Sequence, residues 1–285
     1  MRAWHMWFSA DNLVLTVAQG ACVALPGAGL PSRAKRLRAR GWALVAPLSI
    51  AVVVAALGLL PSTAYVLTWC AFILVPIGCA LALGWAARAA RPWCACLALP
   101  LLALTWALPD DRIGQAAAVL LIVGSAVTAG RLLAGAAPLT WLKAGVVAMA
   151  AVDALLVFSG QLQTPNAVLV AASPGAGLPR LQSAGFAGSG LGYGDFLAAA
   201  LVGAILAAER SPRVIAAVGL VVASLVWDQL FLVYEVLPAT IPWAIGLVVA
   251  GGWRRRKLRV ASRSIAAAPA RGRLPTKGLG APARA

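Results

Sequence analysis

Three aspartates lie within apolar segments of this chain, where a carboxylate is unusual. Asp153, Asp195 and Asp228 each fall inside a run of apolar residues that is typical of a membrane helix. A carboxylate at the centre of such a helix costs about 2.5 kcal/mol or more, so each one needs a structural or chemical reason. Two carboxylates that face each other can share a proton, so that one activates water while the other protonates a carbonyl group. The sequence therefore raises the question of which aspartates meet.

The matched depth of Asp153 and Asp195 favours this pair. Asp153 lies seven residues before Gly160, and Asp195 lies five residues after Gly190. At 1.5 Å per residue, both carboxylates lie roughly 8–10 Å below the same membrane face. Because the two helices that carry them are consecutive and antiparallel, the sequence predicts that the two carboxylates face each other. Asp228 has no glycine motif beside it, and we interpret it as structural.

The composition predicts the elements that must position these residues. Of the 285 residues, 62% are hydrophobic and 11% are charged, whereas about a quarter of the residues in a soluble domain are charged. This composition excludes an ordinary soluble domain and a disordered chain. Long apolar runs, separated by short charged or proline-containing gaps, recur through the chain and predict an all-α, polytopic membrane protein.

Nine helices are predicted, and a polar loop at 160–190 separates the sixth from the seventh. Residues 1–253 form the predicted membrane domain, with the catalytic half at about 139–253, and residues 254–285 form a basic tail that we expect to be disordered. The predicted helices lie at 12–30, 41–60, 64–87, 93–108, 113–130, 139–159, 191–208, 214–234 and 238–252.

The distribution of positive charge predicts an orientation. The chain has 24 Lys and Arg against 8 Asp and Glu, a net charge of +16, and 20 of the basic residues lie in the gaps and tail on one side of the predicted helices. The positive-inside rule then places the tail in the cytoplasm of a cell-membrane protein and the loop 160–190 outside. Anionic lipid headgroups near the basic tail, rather than nucleic acid, are the expected partners of these charges.

Glycines precede one of the two paired aspartates. The segment reads Gly192-Tyr193-Gly194-Asp195. Glycines at a helix start give the backbone conformational freedom and let another backbone approach closely. Two helices further on, the last predicted helix opens with Pro238-Ala239-Thr240. A proline there leaves carbonyl groups without intrahelical donors, which is tolerated where protein or a wet cavity satisfies them.

These motifs together resemble those of the presenilin and signal-peptide-peptidase family of intramembrane aspartyl proteases. That family has an aspartate in the sixth helix, Gly-x-Gly-Asp in the seventh and Pro-Ala-Leu at the start of the ninth. Here Val152 stands where the family usually has tyrosine before Asp153, and Thr240 stands in place of the leucine. The resemblance covers about residues 139–252. It implies a presenilin-like fold and cleavage of transmembrane helices or signal-peptide remnants by Asp153 and Asp195, without a cofactor.

The same resemblance implies which residues bind the substrate. They are the glycine motif residues Gly192, Tyr193 and Gly194, the residues Pro238, Ala239 and Thr240, and Val168 and Leu169 in the apolar run 166–172. A helical peptide bond is shielded by its own hydrogen bonds, so cleavage requires an extended substrate, and a strand at 166–172 would pair with it. The alternative for this run is a buried anchor of the loop.

Other chemistries remain as alternatives or are excluded. A zinc site of the His-Glu-x-x-His type needs two histidines and His5 is the only one, so we expect no metal. A prepilin-peptidase-like protease also uses Gly-x-Gly-Asp, commonly followed by lysine, where this chain has Phe196. An ion- or proton-coupled transporter or channel would use the same buried aspartates as a relay.

Overall fold

The computed structural model describes residues 10–27, 38–60, 62–161, 163–175, 177–232 and 237–252. The predicted helical character is confirmed, with the addition of one β-hairpin. The chain divides into two units, Met1–Leu247 and Val248–Ala285, and the candidate site lies in the first. The predicted tail at 254–285 lies outside the described residues.

Ten α-helices and two strands follow one another along the described chain. In order they are α1 (Ala10–Ala24), α2 (Val45–Leu59), α3 (Thr63–Leu81), α4 (Ala98–Ala107), α5 (Arg112–Ala136), α6 (Leu139–Phe158), α7 (Gln163–Ala171), β1 (Ser183–Phe186), β2 (Ser189–Gly192), α8 (Tyr193–Ala208), α9 (Arg213–Asp228) and α10 (Ile241–Gly252).

Four helical segments among the described residues are long and apolar enough to cross a membrane. They correspond to the segments predicted at 41–60, 64–87, 113–130 and 139–159; in the structure they are Arg40–Leu59, Thr63–Ala86, Arg112–Ala136 and Leu139–Phe158. Other apolar helices, among them α1, α8 and α10, have fewer than 18 residues, whereas a helix across a hydrocarbon core of about 30 Å needs about 20. Large apolar side chains are exposed on the outer faces of several helices, which is compatible with a membrane protein.

The long helix α5 lies at the centre of the fold, where it packs against α1, α3, α4 and α8. It begins after Asp111, whose side chain accepts a hydrogen bond from the Ile113 backbone N–H at 2.8 Å, as expected of a helix cap. Its small residues allow close approach, since a side chain at Gly130 would meet the backbone of Ala200 in α8 at 2.8 Å. Small residues at helix interfaces are typical of membrane proteins.

Several predicted helix boundaries are wrong by a few residues. The helix predicted at 12–30 ends at Ala24, just before Pro26, and the helix predicted at 214–234 ends at Asp228 with a 3-10 turn after it. The helix predicted at 191–208 begins at Tyr193, because residues 189–192 pair with β1. Sequence periodicity could not detect a hairpin of four-residue strands next to a helix start.

The two ends of α5 contact different parts of the fold. The hairpin lies at the end where α5 begins, since the backbone N–H of Ala187 donates to Gln115 Oε1 at 2.8 Å. At the other end of α5, Arg131 donates to the Ala86 carbonyl oxygen at 2.7 Å. We call these the hairpin end and the basic end. Both candidate aspartates lie towards the hairpin end.

Candidate active site

Asp153 is buried on α6, five residues before the helix ends at Phe158. Its Oδ2 accepts a hydrogen bond from the Thr240 hydroxyl at 2.6 Å, and this contact is buried. Thr240 lies in the turn that precedes α10. The two sequence motifs, 87 residues apart, therefore meet directly.

Asp195 is the third residue of α8, so the hairpin and the helix start together determine its position. Its Oδ2 accepts a hydrogen bond from the backbone N–H of Gly192 at 3.1 Å. A carboxylate in the first turn also interacts favourably with the positive end of the helix dipole. The glycine motif thus holds the aspartate through its own backbone.

The two carboxylates border one cavity and lie near enough for their charges to interact. The cavity has a volume of about 450 Å³ and most of its wall is apolar, contributed largely by α2 and α3. Its polar lining consists of Ser49, Ser125, Asp153, Gln182, Tyr193, Asp195 and Thr240. No basic side chain is among the described residues that line it, so the arrangement suits proton exchange between two carboxyl groups rather than binding of an anion.

An ion pair joins the two aspartate-bearing helices away from the cavity. Lys143 Nζ on α6 contacts Glu209 Oε1, just after α8, at 2.6 Å. The two residues are 66 apart in the sequence, so this contact has no local sequence signal. The pair joins the first half of α6 to the residue that directly follows α8.

The glycine motif leaves space beside Asp195. A side chain built at Gly194 would meet no atom within 4 Å, and both Gly192 and Gly194 line the cavity. Tyr193, between them, shares a hydrogen bond of 3.0 Å between its hydroxyl and the hydroxyl of Ser125 on α5. The sequence singled out Tyr193 but not Ser125, because a serine in an apolar helix gives no signal of its own.

The predicted strand at 166–172 is wrong. Residues 163–171 form helix α7, and Pro165 lies in its first turn, where a proline is tolerated because its missing N–H has no intrahelical partner. Leu169 lines the cavity from this helix, whereas Val168 is not among the lining residues.

Gln182 is a buried cavity residue that sequence reasoning did not identify. Its side-chain Nε2 donates to the carbonyl oxygens of Leu169 and Ala172, at 3.3 and 3.2 Å. Leu169 belongs to α7 and Ala172 directly follows it, so Gln182 ties the end of that helix to the base of the hairpin. Gln182 Oε1 has no hydrogen-bond partner among the described residues.

The segment before α10 completes the site. Pro238 is buried, Ala239 is half-buried, and of the three residues predicted here only Thr240 is in the cavity wall. Asp228 lies elsewhere. It accepts a hydrogen bond from Asn12 Nδ2 on α1 at 3.0 Å and does not border the cavity.

Comparison of the chain with protein-family models, with curated proteins and with solved structures found no match in any of the three. Within the part of the chain that the structure describes, no three His, Cys, Asp or Glu side chains lie close enough to hold a metal ion.

Proposed function

We propose that this chain is a multi-pass membrane protein of the presenilin and signal-peptide-peptidase type, which hydrolyses peptide bonds within transmembrane helices. The observation that supports it most is the placement of Asp153 and Asp195 on one apolar cavity, one held by Thr240 and the other by Gly192. In the proposed reaction one carboxylate takes a proton from water and the other donates a proton to the scissile carbonyl.

The β-hairpin supports the proposal because it offers strand edges to an extended substrate, which the helical run 166–172 does not. Ser183 and Gly192 are partners at the base of the hairpin, and Gly192 lines the cavity. A two-stranded sheet leaves an unpaired edge on each strand, and an extended peptide can add to such an edge. Strand addition would satisfy the backbone groups that a substrate helix exposes when it unwinds. Residues 183–192, rather than Val168 and Leu169, would therefore pair with the extended substrate.

Cleavage by purified protein tests this function. The protein in detergent is incubated with a panel of single-span helical substrates, beside Asp153→Asn and Asp195→Asn, and the products are identified by mass spectrometry. We expect cleavage within the apolar segment of at least one substrate by the wild type and none by either variant. Equal cleavage by wild type and variants would attribute the activity to a contaminating protease and contradict the proposal.

The proposed orientation places the hairpin end outside the cytoplasm and the basic end inside. This is the orientation of signal peptide peptidase, so substrates should be helices with cytoplasmic N-termini. An impermeant thiol reagent added to intact cells should label a cysteine at Gln161, an exposed residue after α6, and spare one at Arg91, an exposed residue near the basic end. The parent protein must lack the native cysteines. The opposite labelling pattern would reverse the orientation.

A further inference from the structure

Three arginines from distant parts of the sequence meet at the basic end. Arg131 on α5 donates to the Ala86 carbonyl oxygen, and Arg213 at the start of α9 donates to the Pro26 carbonyl oxygen. The Ala86 oxygen also accepts the backbone N–H of Gly27 at 2.9 Å. The guanidinium groups of Arg131 and Arg213 therefore flank one peptide unit, Pro26–Gly27, just after α1 ends.

Arg88 completes the group. Its backbone N–H donates to the Leu25 carbonyl oxygen at 2.8 Å, so this residue also lies beside the end of α1. The charge of Arg213 interacts with that of Arg131 and with that of Arg88. We call Arg88, Arg131 and Arg213 the arginine cluster. Its members differ in burial: Arg131 is 8% exposed, Arg213 is half-buried and Arg88 is exposed.

Among the described residues, no carboxylate pairs with the two more exposed members of this cluster. Arg88 and Arg213 form no ion pair with any residue that the structure describes, and Glu209, the nearest acidic residue in sequence to Arg213, is bound to Lys143. The negative end of the α1 dipole stabilises these arginines in part, because cations are favourable near a helix C-terminus. A half charge at one helix end does not balance the guanidinium groups of both Arg88 and Arg213.

The start of α9 adds further positive potential at the same place. Arg213 is the first residue of this 16-residue helix, and the preceding Pro212 makes no side-chain cap. A cation at a helix N-terminus is unfavourable, and the N-terminal N–H groups there suit an anion.

We propose that the arginine cluster, with the N-terminus of α9, binds a phosphate group at the basic end. Guanidinium groups bind phosphate with paired, charge-assisted hydrogen bonds, and their planar form suits a site that is partly removed from water. Two sources share this chemistry: the headgroup of an anionic phospholipid and free inorganic phosphate. The lipid source depends on the proposed membrane placement, whereas the phosphate site itself does not depend on protease activity.

The test measures the melting temperature of the full chain in detergent during three titrations at constant ionic strength. The titrants are short-chain phosphatidylglycerol, short-chain phosphatidylcholine and inorganic phosphate. A ligand that binds the folded protein raises the melting temperature in a concentration-dependent way. We expect phosphatidylglycerol to raise it at concentrations where phosphatidylcholine does not. An equal or greater rise with inorganic phosphate would identify free phosphate as the source and still support the site.

A matched pair of double variants gives the decisive comparison. Arg88→Gln with Arg213→Gln removes two charges from the cluster, and Arg112→Gln with Arg180→Gln removes two exposed charges at the hairpin end. Arg112 and Arg131 lie 19 residues apart on α5, a separation of about 28 Å. We expect the first variant to bind the anionic ligand about 25-fold more weakly, since each basic residue near an anionic surface contributes roughly fivefold. The second variant should bind as the wild type does.

Three results would overturn the proposal. They are no stabilisation of the wild type by either anion, equal weakening in both double variants, and a lower melting temperature in the first variant with unchanged half-saturation. The last result would mean that the arginines only stabilise the end of α1. If the double variant does not fold, Arg88→Gln alone decides, because its side chain is exposed and glutamine keeps the backbone bond to Leu25; it should bind about fivefold more weakly.

Discussion

Two regions of the chain hold an aspartate between apolar helices, buried in one and half-buried in the other. They differ in what surrounds the carboxylate. Asp153 accepts a bond from Thr240, and Asp228 accepts one from Asn12. Around Asp153 lie a cavity and a second carboxylate, Asp195, whereas Asp228 borders no part of that cavity. A single hydrogen-bonded carboxylate between helices is explained by packing alone. A second carboxylate beside open space is what suggests chemistry.

The largest expected difference between the regions is in turnover after amide substitution. Asp153→Asn or Asp195→Asn should lower cleavage by about 1000-fold or more, because neither variant keeps the carboxyl pair needed for acid–base catalysis. The substitution Asp228→Asn should leave turnover within about twofold of the wild type. Asparagine still accepts the bonds from Thr240, Gly192 and Asn12, so all three variants should fold. An inactive Asp228→Asn protein together with an active Asp153→Asn protein would reverse the assignment of the catalytic aspartate.

The second expected effect is a difference in turnover between variants of two prolines, Pro238 and Pro212, which each precede a helix. Pro238→Leu would allow another helical turn before α10, which would move Thr240 away from Asp153. A displacement of about 1 Å can lower turnover by about 100-fold. Pro212→Leu is the matched control, since Pro212 precedes α9, the helix of Asp228, and is exposed. Thermal melting checks folding. Full activity of a well-folded Pro238→Leu protein would mean that the proline has no role in the cavity.

The third expected effect concerns the hydroxyl that holds Asp153. Thr240→Val keeps the shape but removes the donor, and we expect turnover to fall about tenfold, as a bond to a charged group contributes about 1.5–3 kcal/mol. Thr240→Ser keeps the donor and should recover most of the rate. The sequence resemblance alone predicts a mild effect of Thr240→Leu, because leucine stands at this position in the family that the motifs resemble. The contact with Asp153 predicts that leucine behaves as valine does.

The sequence predicts those site residues whose pattern is local in the chain and misses those that act through contacts between distant residues. Asp153 and Asp195 were found because matched depth on consecutive helices is a local count along the chain. The bond between Thr240 and Asp153 was missed because it joins residues 87 apart. Ser125 and Gln182 were missed for the same reason: each acts through a tertiary contact and belongs to no motif.

The fold was predictable in its helices and not in its connections. Apolar runs predicted α2, α3, α5 and α6 within a few residues, because a long apolar helix is determined by composition. The run at 166–172 was mistaken for a strand because apolar runs of this length do not distinguish strand from helix. The hairpin at 183–192 is short, glycine-rich and defined by pairing, which periodicity does not report.

The smallest expected effect is on stability in the region of Asp228. A double-mutant cycle of Asn12→Ala and Asp228→Ala should give a coupling energy of about 0.6 kcal/mol, the average for side-chain hydrogen bonds between membrane helices. The measurement is the free energy of unfolding in detergent for the two single variants, the double variant and the wild type. Turnover of a helical substrate by Asn12→Ala should stay within about twofold of the wild type.

Because the bond joins α1 to α9 and neither side chain lines the cavity, its removal changes helix packing without moving a carboxylate at the site. A loss of turnover similar to that of Thr240→Val, in a protein that remains folded, would show that the two aspartate regions are coupled and that Asp228 is more than a packing residue.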